Sequence, residues 1–176
     1  MTVPTDNSTT ALCPPGATSW CELDAEALRH NVELFASLVG GLQGLLPVIK
    51  ANAYGHGLAV VASELVALGV EQVGVNELFE GQWLRERFPD LGVVVLGQAR
   101  EADVEALVAA ELQFVSTNEG ALRRASAAAL SLGKTARVHL KLETGTHRQG
   151  VSSEDLKPLA RLCRDLPAIE LEGLST

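Results

Sequence analysis

Short apolar runs alternate with helical patterns along most of this sequence, and that alternation limits the possible fold more than any other feature. The apolar runs are short and β-branched, as buried parallel strands are. We predict strands at 45–49, 71–75, 92–96, 112–115, 136–142 and 169–174. We predict helices at 25–39, 58–68, 77–87, 101–110, 119–132 and 153–166, the last with a late start or a kink at Pro158. The sequence therefore predicts an α/β fold.

Two architectures are compatible with this alternation. About six βα units of roughly 20–30 residues match the repeat of a (β/α)8 TIM-type barrel, which needs about 250 residues. A chain of 176 residues would then be an incomplete barrel, cut near strand 6. Six such units could also form a doubly wound sheet. An incomplete barrel would leave two unpaired sheet edges, which predicts poor solubility or association.

Composition narrows the classes of function. A formal net charge of −8 argues against nucleic acid or an anionic membrane surface as a partner, since either would require a basic patch. The longest uncharged segment, 34–49, is interrupted by glycines and a proline, so we predict no membrane span. Residues 1–19 are rich in Thr, Ser and Pro, contain no Lys or Arg, and are predicted to be a disordered leader without a secretory signal.

The cysteines indicate a reduced protein. Cys13, Cys21 and Cys163 are odd in number and widely spaced, so neither a disulfide framework nor a metal site is predicted. Reduced thiols are typical of a cytoplasmic protein. Cys163 shares one apolar helical face with leucines, which favours a position in the core.

The first motif that could carry out chemistry is a lysine at the end of an apolar run. Lys50 follows 45–49, and desolvation at such a position lowers a lysine pKa, which is what an amine needs to form a Schiff base with a carbonyl. Gly55 and Gly57 allow a sharp turn, Tyr54 offers a hydroxyl donor, and the helix from about residue 58 offers N–H groups to an anion. A Schiff-base lysine beside anion donors is what pyridoxal phosphate requires. An isolated lysine of this kind more often extends into water.

The run 50–57, KANAYGHG, resembles the cofactor-attachment motif of alanine racemases, pyridoxal-phosphate enzymes of fold type III. The resemblance implies that Lys50 carries the cofactor and that Tyr54 contacts its phosphate. Ornithine-type decarboxylases and small pyridoxal-phosphate homeostasis proteins share a strand-end lysine, but their following residues differ. The resemblance also favours the incomplete barrel over the doubly wound sheet. Asn52 and His56 are interpreted as residues that shape the turn.

A second polar segment, 136–150, again runs from a strand into a glycine-containing loop. Period-two alternation places His139, Lys141 and Glu143 on one face of the predicted strand. Arg148 follows in the loop, and in a barrel it would share a rim with Lys50. A planar, permanently charged donor suits a phenolate or a carboxylate, although a solvated charge cluster is the alternative.

This second segment is also similar to alanine racemases. The match implies that Arg148 lies near the cofactor's phenolic oxygen and binds the substrate carboxylate, and that Lys141 occupies a position that many members carry as a carbamylated lysine. A carbamate would be anionic and could orient Arg148, whereas an unmodified lysine would repel it. The sequence departs from the family at Glu143, usually Asp, and at Thr146, usually Met.

The resemblance implies interconversion of L- and D-alanine, which supplies D-alanine for peptidoglycan, with Lys50 as one base. The family's second base is a tyrosine from the C-terminal β domain of the partner subunit in a homodimer. The only tyrosine here is Tyr54, so we expect 20–176 to be a partial barrel domain without that β domain, in a truncated racemase that cannot racemise alone.

Three alternatives remain open from the sequence. The chain could be a pyridoxal-phosphate carrier or homeostasis protein, a half-enzyme that docks with a separate C-terminal piece, or a racemase for another amino acid.

Overall fold

Five parallel strands form one sheet in which the spatial order, β1-β2-β3-β4-β5, is also the order along the chain. The structure is a computed structural model that describes Gly16, Thr18, Ser19 and residues 21–176. The predicted leader lies outside the described residues except at those three positions, and Cys13 lies outside them too. The strands are β1 Gln72–Val75, β2 Gly92–Gln98, β3 Gln113–Ser116, β4 Ala136–Lys141 and β5 Ile169–Ser175.

In the part of the chain that the structure describes, six right-handed helices separate or precede the strands: α1 Ala25–Val39, α2 Leu58–Ala67, α3 Leu78–Arg87, α4 Val104–Ala109, α5 Glu119–Leu132 and α6 Ser153–Asp165. Asp24 begins α1 as predicted, because its carboxylate accepts the N–H groups of Glu26 and Ala27. Within the described residues, no helix combines the length and apolar character needed to cross a membrane.

The strand order distinguishes the two predicted architectures. A doubly wound sheet reverses its order at a switch point, whereas here each strand pairs in parallel with the next in sequence. The sheet does not close among the described residues, so the prediction of an incomplete (β/α)8 barrel is confirmed. Its two outer edges expose apolar side chains, Val48 at one edge and Leu171 and Leu174 at the other.

The prediction of a strand at 45–49 is wrong in extent. This segment meets β1 through a single bridge, Val48 to Gly74, in which the Ile49 N–H donates to the Gly74 oxygen at 2.8 Å. A 3-10 turn at Leu42–Gly44 precedes it, a turn follows directly at Lys50, and Pro47 has no N–H to donate. Too few residues therefore remain for a regular strand.

One helix start differs from the predicted range by more than one residue, and the late start suggested by Pro158 does not occur. Helix α4 begins at Val104 rather than at 101, because the Asp103 N–H donates to the Arg100 oxygen and closes a turn there. Helix α6 begins at Ser153 despite Pro158, because the Ser152 side chain caps its first turn. The late start that we predicted for α6 is therefore wrong.

The helices cover one face of the sheet and bury a single apolar core. On β4, Val138 and Leu140 point into this core, while Arg137, His139 and Lys141 lie on the other face. Cys163 of α6 lies in the core, as its helical spacing predicted. The polar face of β4 leads directly to the carboxyl end of the sheet, where the candidate site lies.

Candidate active site

Three of the residues singled out from the sequence, Lys50, Lys141 and Arg148, follow or end strands at the carboxyl end of the parallel sheet. Lys50 follows Ile49, which runs parallel to β1, and Lys141 is the last residue of β4. Arg148 lies in the loop between β4 and α6. Neither Lys50 nor Arg148 makes a side-chain hydrogen bond or an ion pair with another described residue. Both cationic groups are therefore available for a ligand.

Lys50–Tyr54, which we call the lysine turn, is one turn of left-handed helix. Ala51, Asn52, Ala53 and Tyr54 have φ values of 53°, 56°, 53° and 54°. Left-handed backbone costs an L-residue about 1–2 kcal/mol, so a run of such residues must be held by its surroundings. The N–H of Gly55 donates to the Ala51 oxygen at 3.2 Å, which closes the turn.

Asn52 connects the lysine turn to α2, which agrees with its predicted role in shaping the loop. Its side-chain oxygen Oδ1 accepts the N–H of Leu58, the first residue of α2, at 2.8 Å. Its backbone oxygen accepts the Gly57 N–H at 3.0 Å. A Cβ at Gly55 would meet no atom within 4 Å, so the space beside the turn is open.

Glu80 holds the lysine turn from a distant part of the chain, and sequence analysis missed it. Only 3% of its surface is exposed. One carboxylate oxygen, Oε1, accepts the Asn52 N–H at 3.1 Å. The other, Oε2, accepts the N–H groups of Asn76 at 3.0 Å and Glu77 at 3.2 Å. The spacing of Glu77 and Glu80 at the start of a helix signals a capping box, but not the bond to Asn52.

The segment Glu143–Gly150, which we call the arginine loop, is also built around a glutamate. The Glu143 carboxylate accepts the Gly145 N–H at 2.5 Å. Hydrogen bonds from the N–H groups of His147 and Gly145, with a smaller contribution from Arg148, lower the pKa of Glu143 from its ordinary value. Glutamate therefore still organises this loop where the family usually has aspartate.

The arginine loop reaches across the sheet. Gln149 Nε2 donates to the backbone oxygen of Leu96 on β2 at 3.1 Å, although β3 lies between β2 and β4. The Leu96 side chain in turn lies over Gly74, where an added Cβ would be 2.7 Å from Leu96 Cδ1 and 3.4 Å from Val48 Cγ2. A chain of contacts therefore connects the arginine loop to the segment that ends at Lys50.

On the polar face of β4, His139 is held by a neighbouring strand. Its Nε2 lies 2.8 Å from Oε1 of the buried Gln113 on β3. Desolvation lowers the pKa of His139, and the Glu172 carboxylate opposes this shift only in part. The lowered pKa favours the neutral ring near pH 7. Lys141 is half-buried beyond it at the end of β4, and its backbone oxygen accepts the Val151 N–H at 2.8 Å.

Tyr54 and His56 face an apolar cavity. Tyr54 is 62% exposed and, with His56, lines a cavity of about 550 Å3 between α1, the segment 45–49 and α2. His56 Nδ1 lies 3.8 Å from Cys21 Sγ. The walls of this cavity are mainly aliphatic, so it suits an apolar group, and Lys50 is not part of them.

Comparison with known proteins identifies the family of the chain. The family model described as alanine racemase, N-terminal domain, matches residues 23–176. The alanine racemase of Syntrophobacter fumaroxidans is 36% identical over 158 residues, which are 90% of this chain and 42% of that protein. The chain thus spans about two-fifths of the length of such curated relatives.

Solved structures share the fold. An alanine racemase from Streptomyces coelicolor A3(2) superposes with a TM-score of 0.76 at 28% identity, covering 86% of this chain and 41% of that one. A histidine racemase from Leuconostoc mesenteroides subsp. sake gives a TM-score of 0.78 at 23% identity, covering 85% and 40%, and at that identity shows the fold alone. With its sequence matched by the family model over nearly all the described residues, the chain belongs to the alanine racemase N-terminal domain family, a family of isomerases.

Proposed function

We propose that this chain provides the cofactor-attachment half of an alanine racemase active site, in which Lys50, Tyr54 and Arg148 bind pyridoxal phosphate. The observation that carries the proposal is the lysine turn. Its sequence resembles the attachment motif of alanine racemases, and it lies at the carboxyl end of the sheet, where barrel enzymes have their active sites. The chain's membership of that family supports the same activity.

The groups at this end of the sheet fit a phosphorylated aldehyde. Lys50 offers a primary amine for covalent attachment, Tyr54 a hydroxyl donor for the phosphate, and Arg148 a planar cation. The open space beside Gly55 leaves room for a bulky anion next to the turn. These are the donors and the nucleophile that pyridoxal phosphate needs.

Bound pyridoxal phosphate would supply the electron sink that makes the α-hydrogen of an amino acid acidic. In this proposal Lys50 is the residue that would hold the cofactor, and its amine, when free, would accept the α-proton on its own side of the substrate. The Arg148 guanidinium binds the substrate carboxylate and so fixes the α-carbon relative to Nζ. Tyr54 holds the phosphate end in place.

Lys141 would act through Arg148. If its amine is carbamylated, as the resemblance implies, the resulting carbamate is an anion that can accept hydrogen bonds from the guanidinium. Mass spectrometry of the intact Lys141 peptide under carbon dioxide would test this modification.

Inversion also needs a proton donor on the opposite side of the substrate. The family resemblance assigns this role to a tyrosine of the partner subunit's C-terminal β domain, and Tyr54 is the only tyrosine of this chain. We therefore propose that alanine racemisation, and with it D-alanine supply for peptidoglycan in the cytoplasm, requires a C-terminal β domain in a homodimeric assembly.

The test of cofactor attachment is borohydride reduction of the purified chain with pyridoxal phosphate. We expect a visible absorbance that borohydride abolishes, with the reduced adduct on Lys50 in the digested chain. Lys50→Ala should lose both signals, whereas Lys157→Ala, which removes an exposed lysine of α6, should keep them. An adduct that is unchanged in Lys50→Ala would contradict the proposal.

Racemisation assays separate the remaining alternatives. The chain is assayed with L-alanine, L-serine and L-lysine, alone and with the separately expressed C-terminal domain of a relative. Activity with alanine only in the presence of that domain supports a half-enzyme. Cofactor attachment without turnover in any mixture supports a carrier, and preference for serine or lysine supports a different racemase.

A further inference from the structure

We propose that Glu80 is a positioning residue for Lys50: its buried carboxylate holds the lysine turn in the left-handed conformation that presents the amine. The structural part of this inference stands on the contacts of Glu80 alone. Its consequence for the reactivity of Lys50 rests on the proposed function.

The lysine turn is strained and does not hold itself. Its left-handed residues include two alanines, which prefer right-handed helix. The turn begins immediately after Ile49, which is tied to β1 through the Gly74 oxygen. A left-handed turn at the end of such a segment persists only where neighbouring groups fix it.

Glu80 supplies this constraint with both carboxylate oxygens. Oε1 binds the N–H in the middle of the lysine turn, at Asn52, and Oε2 binds the N–H groups of Asn76 and Glu77 at the junction of β1 and α3. One side chain therefore joins the turn to the junction of β1 and α3. A buried carboxylate is tolerated when charge-assisted hydrogen bonds satisfy it, and here backbone N–H groups do so.

The geometry requires two acceptor oxygens. In Glu80→Gln the carboxamide has one oxygen, and its NH2 group would face a backbone N–H on one side. The variant keeps the shape of the side chain but loses either the bond to Asn52 or the bonds to Asn76 and Glu77. Glu80→Ala loses all three bonds.

The first experiment is hydrogen exchange on the full chain without cofactor, so that its result is independent of the proposed function. In Glu80→Ala we expect the amides of Asn52, Asn76 and Glu77 to exchange at least about tenfold faster. In Glu80→Gln we expect this either of the Asn52 amide or of the Asn76 and Glu77 amides. Amides of β3 and β4 should stay protected. Glu86→Gln removes the same charge from an exposed site on the same helix and serves as the control.

The second experiment measures the rate of borohydride trapping with pyridoxal phosphate at Lys50, relative to exposed Lys157 in the same sample. Misplacement of a reacting group by about 1 Å can lower a rate about 100-fold, so we expect the Lys50 to Lys157 ratio to fall about 10- to 100-fold in Glu80→Gln. A general loss of stability would not change this ratio while β3 and β4 remain protected.

The outcomes distinguish this inference from the proposed function. Unchanged protection of all three amides in Glu80→Gln overturns the inference, as do unchanged Asn52 protection in a folded Glu80→Ala variant and equal Lys50 trapping in wild type and in both variants. If the wild-type chain traps no cofactor at Lys50, the proposed function fails, and the exchange result alone decides whether Glu80 holds the turn. If Glu80→Ala does not fold, Glu80→Gln provides both measurements.

Discussion

The lysine turn and the arginine loop use the same chemical device in different ways. In each, a glutamate carboxylate accepts backbone N–H groups of an irregular segment. Glu80 is buried and lies 28 residues from the Asn52 amide that it binds, whereas Glu143 is only half-buried and binds an amide two residues away. The lysine turn therefore depends on the tertiary fold, while the arginine loop is organised largely by its own sequence.

Glu80→Ala should cause the largest effect and directly tests this contrast. Three backbone N–H groups lose the buried carboxylate that accepts them, and we expect a loss of about 3 kcal/mol in the free energy of unfolding. Glu143→Ala should cost much less, because water can replace a carboxylate at a partly exposed site. Urea denaturation of both variants measures the difference, and equal losses would contradict the distinction.

Gly150→Ala should cause the next largest loss of stability. It tests whether the backbone of the arginine loop can move to accept a side chain. Gly150 has φ of 136°, and a Cβ there would be 2.6 Å from the backbone nitrogen of Glu143, which cannot move aside. We expect a cost of about 3 kcal/mol from backbone strain and the clash together. The thermal unfolding midpoint of purified protein measures it.

Gly145→Ala is the matched control. Gly145 has φ of 141°, but a Cβ there would meet nothing within 4 Å. This variant should lose only about 1–2 kcal/mol of stability, because it introduces backbone strain but no clash. A Gly145→Ala variant as unstable as Gly150→Ala would show that the backbone clash is not the cause.

Gln149→Leu tests the one tertiary bond of the arginine loop that crosses the sheet. Removal of the bond to the Leu96 oxygen should cost about 1 kcal/mol and accelerate hydrogen exchange in the loop. Gln43→Leu removes a comparable bond, to the Gly40 oxygen, within one turn elsewhere, and should leave the loop unchanged. Unaltered loop exchange in Gln149→Leu would mean that the other bonds of the loop are enough to hold Arg148.

The smallest effect is the response of the arginine loop to acid. The folded chain lowers the pKa of Glu143 below its ordinary value of 4.5, so the stabilisation is complete above that value and is lost as the pH falls through the folded pKa. The amide shift of Gly145 in a nitrogen-15 NMR titration should report a midpoint below 4.5, and Glu143→Gln should abolish it. A midpoint at or above the ordinary value would contradict the hydrogen bonding described.

The alternation of apolar runs and helices predicted the fold class, because strand and helix periodicities are local properties of the sequence. It could not supply the strand order, which depends on how the units pack. The run at 45–49 has the composition of a strand, but only one bridge forms, since Pro47 and the turn at Lys50 limit it.

The candidate site residues that belong to a contiguous motif could be predicted from the sequence. The sequence pointed to Lys50, Tyr54 and Arg148 as candidate site residues, and their roles stay predictions. It gave no signal for the left-handed turn, because alanine and asparagine in a row do not specify that conformation. It also could not reveal Glu80 or Gln149, whose partners lie 28 and 53 residues away.

The match between sheet order and chain order has a consequence for synthesis. Each strand pairs with the one that left the ribosome just before it, so the sheet can grow one βα unit at a time during translation. Only a short loop must close at each step. The growing edge is always the newest strand, and the Glu80 bond to the lysine turn can form as soon as α3 has emerged, before β2 is made.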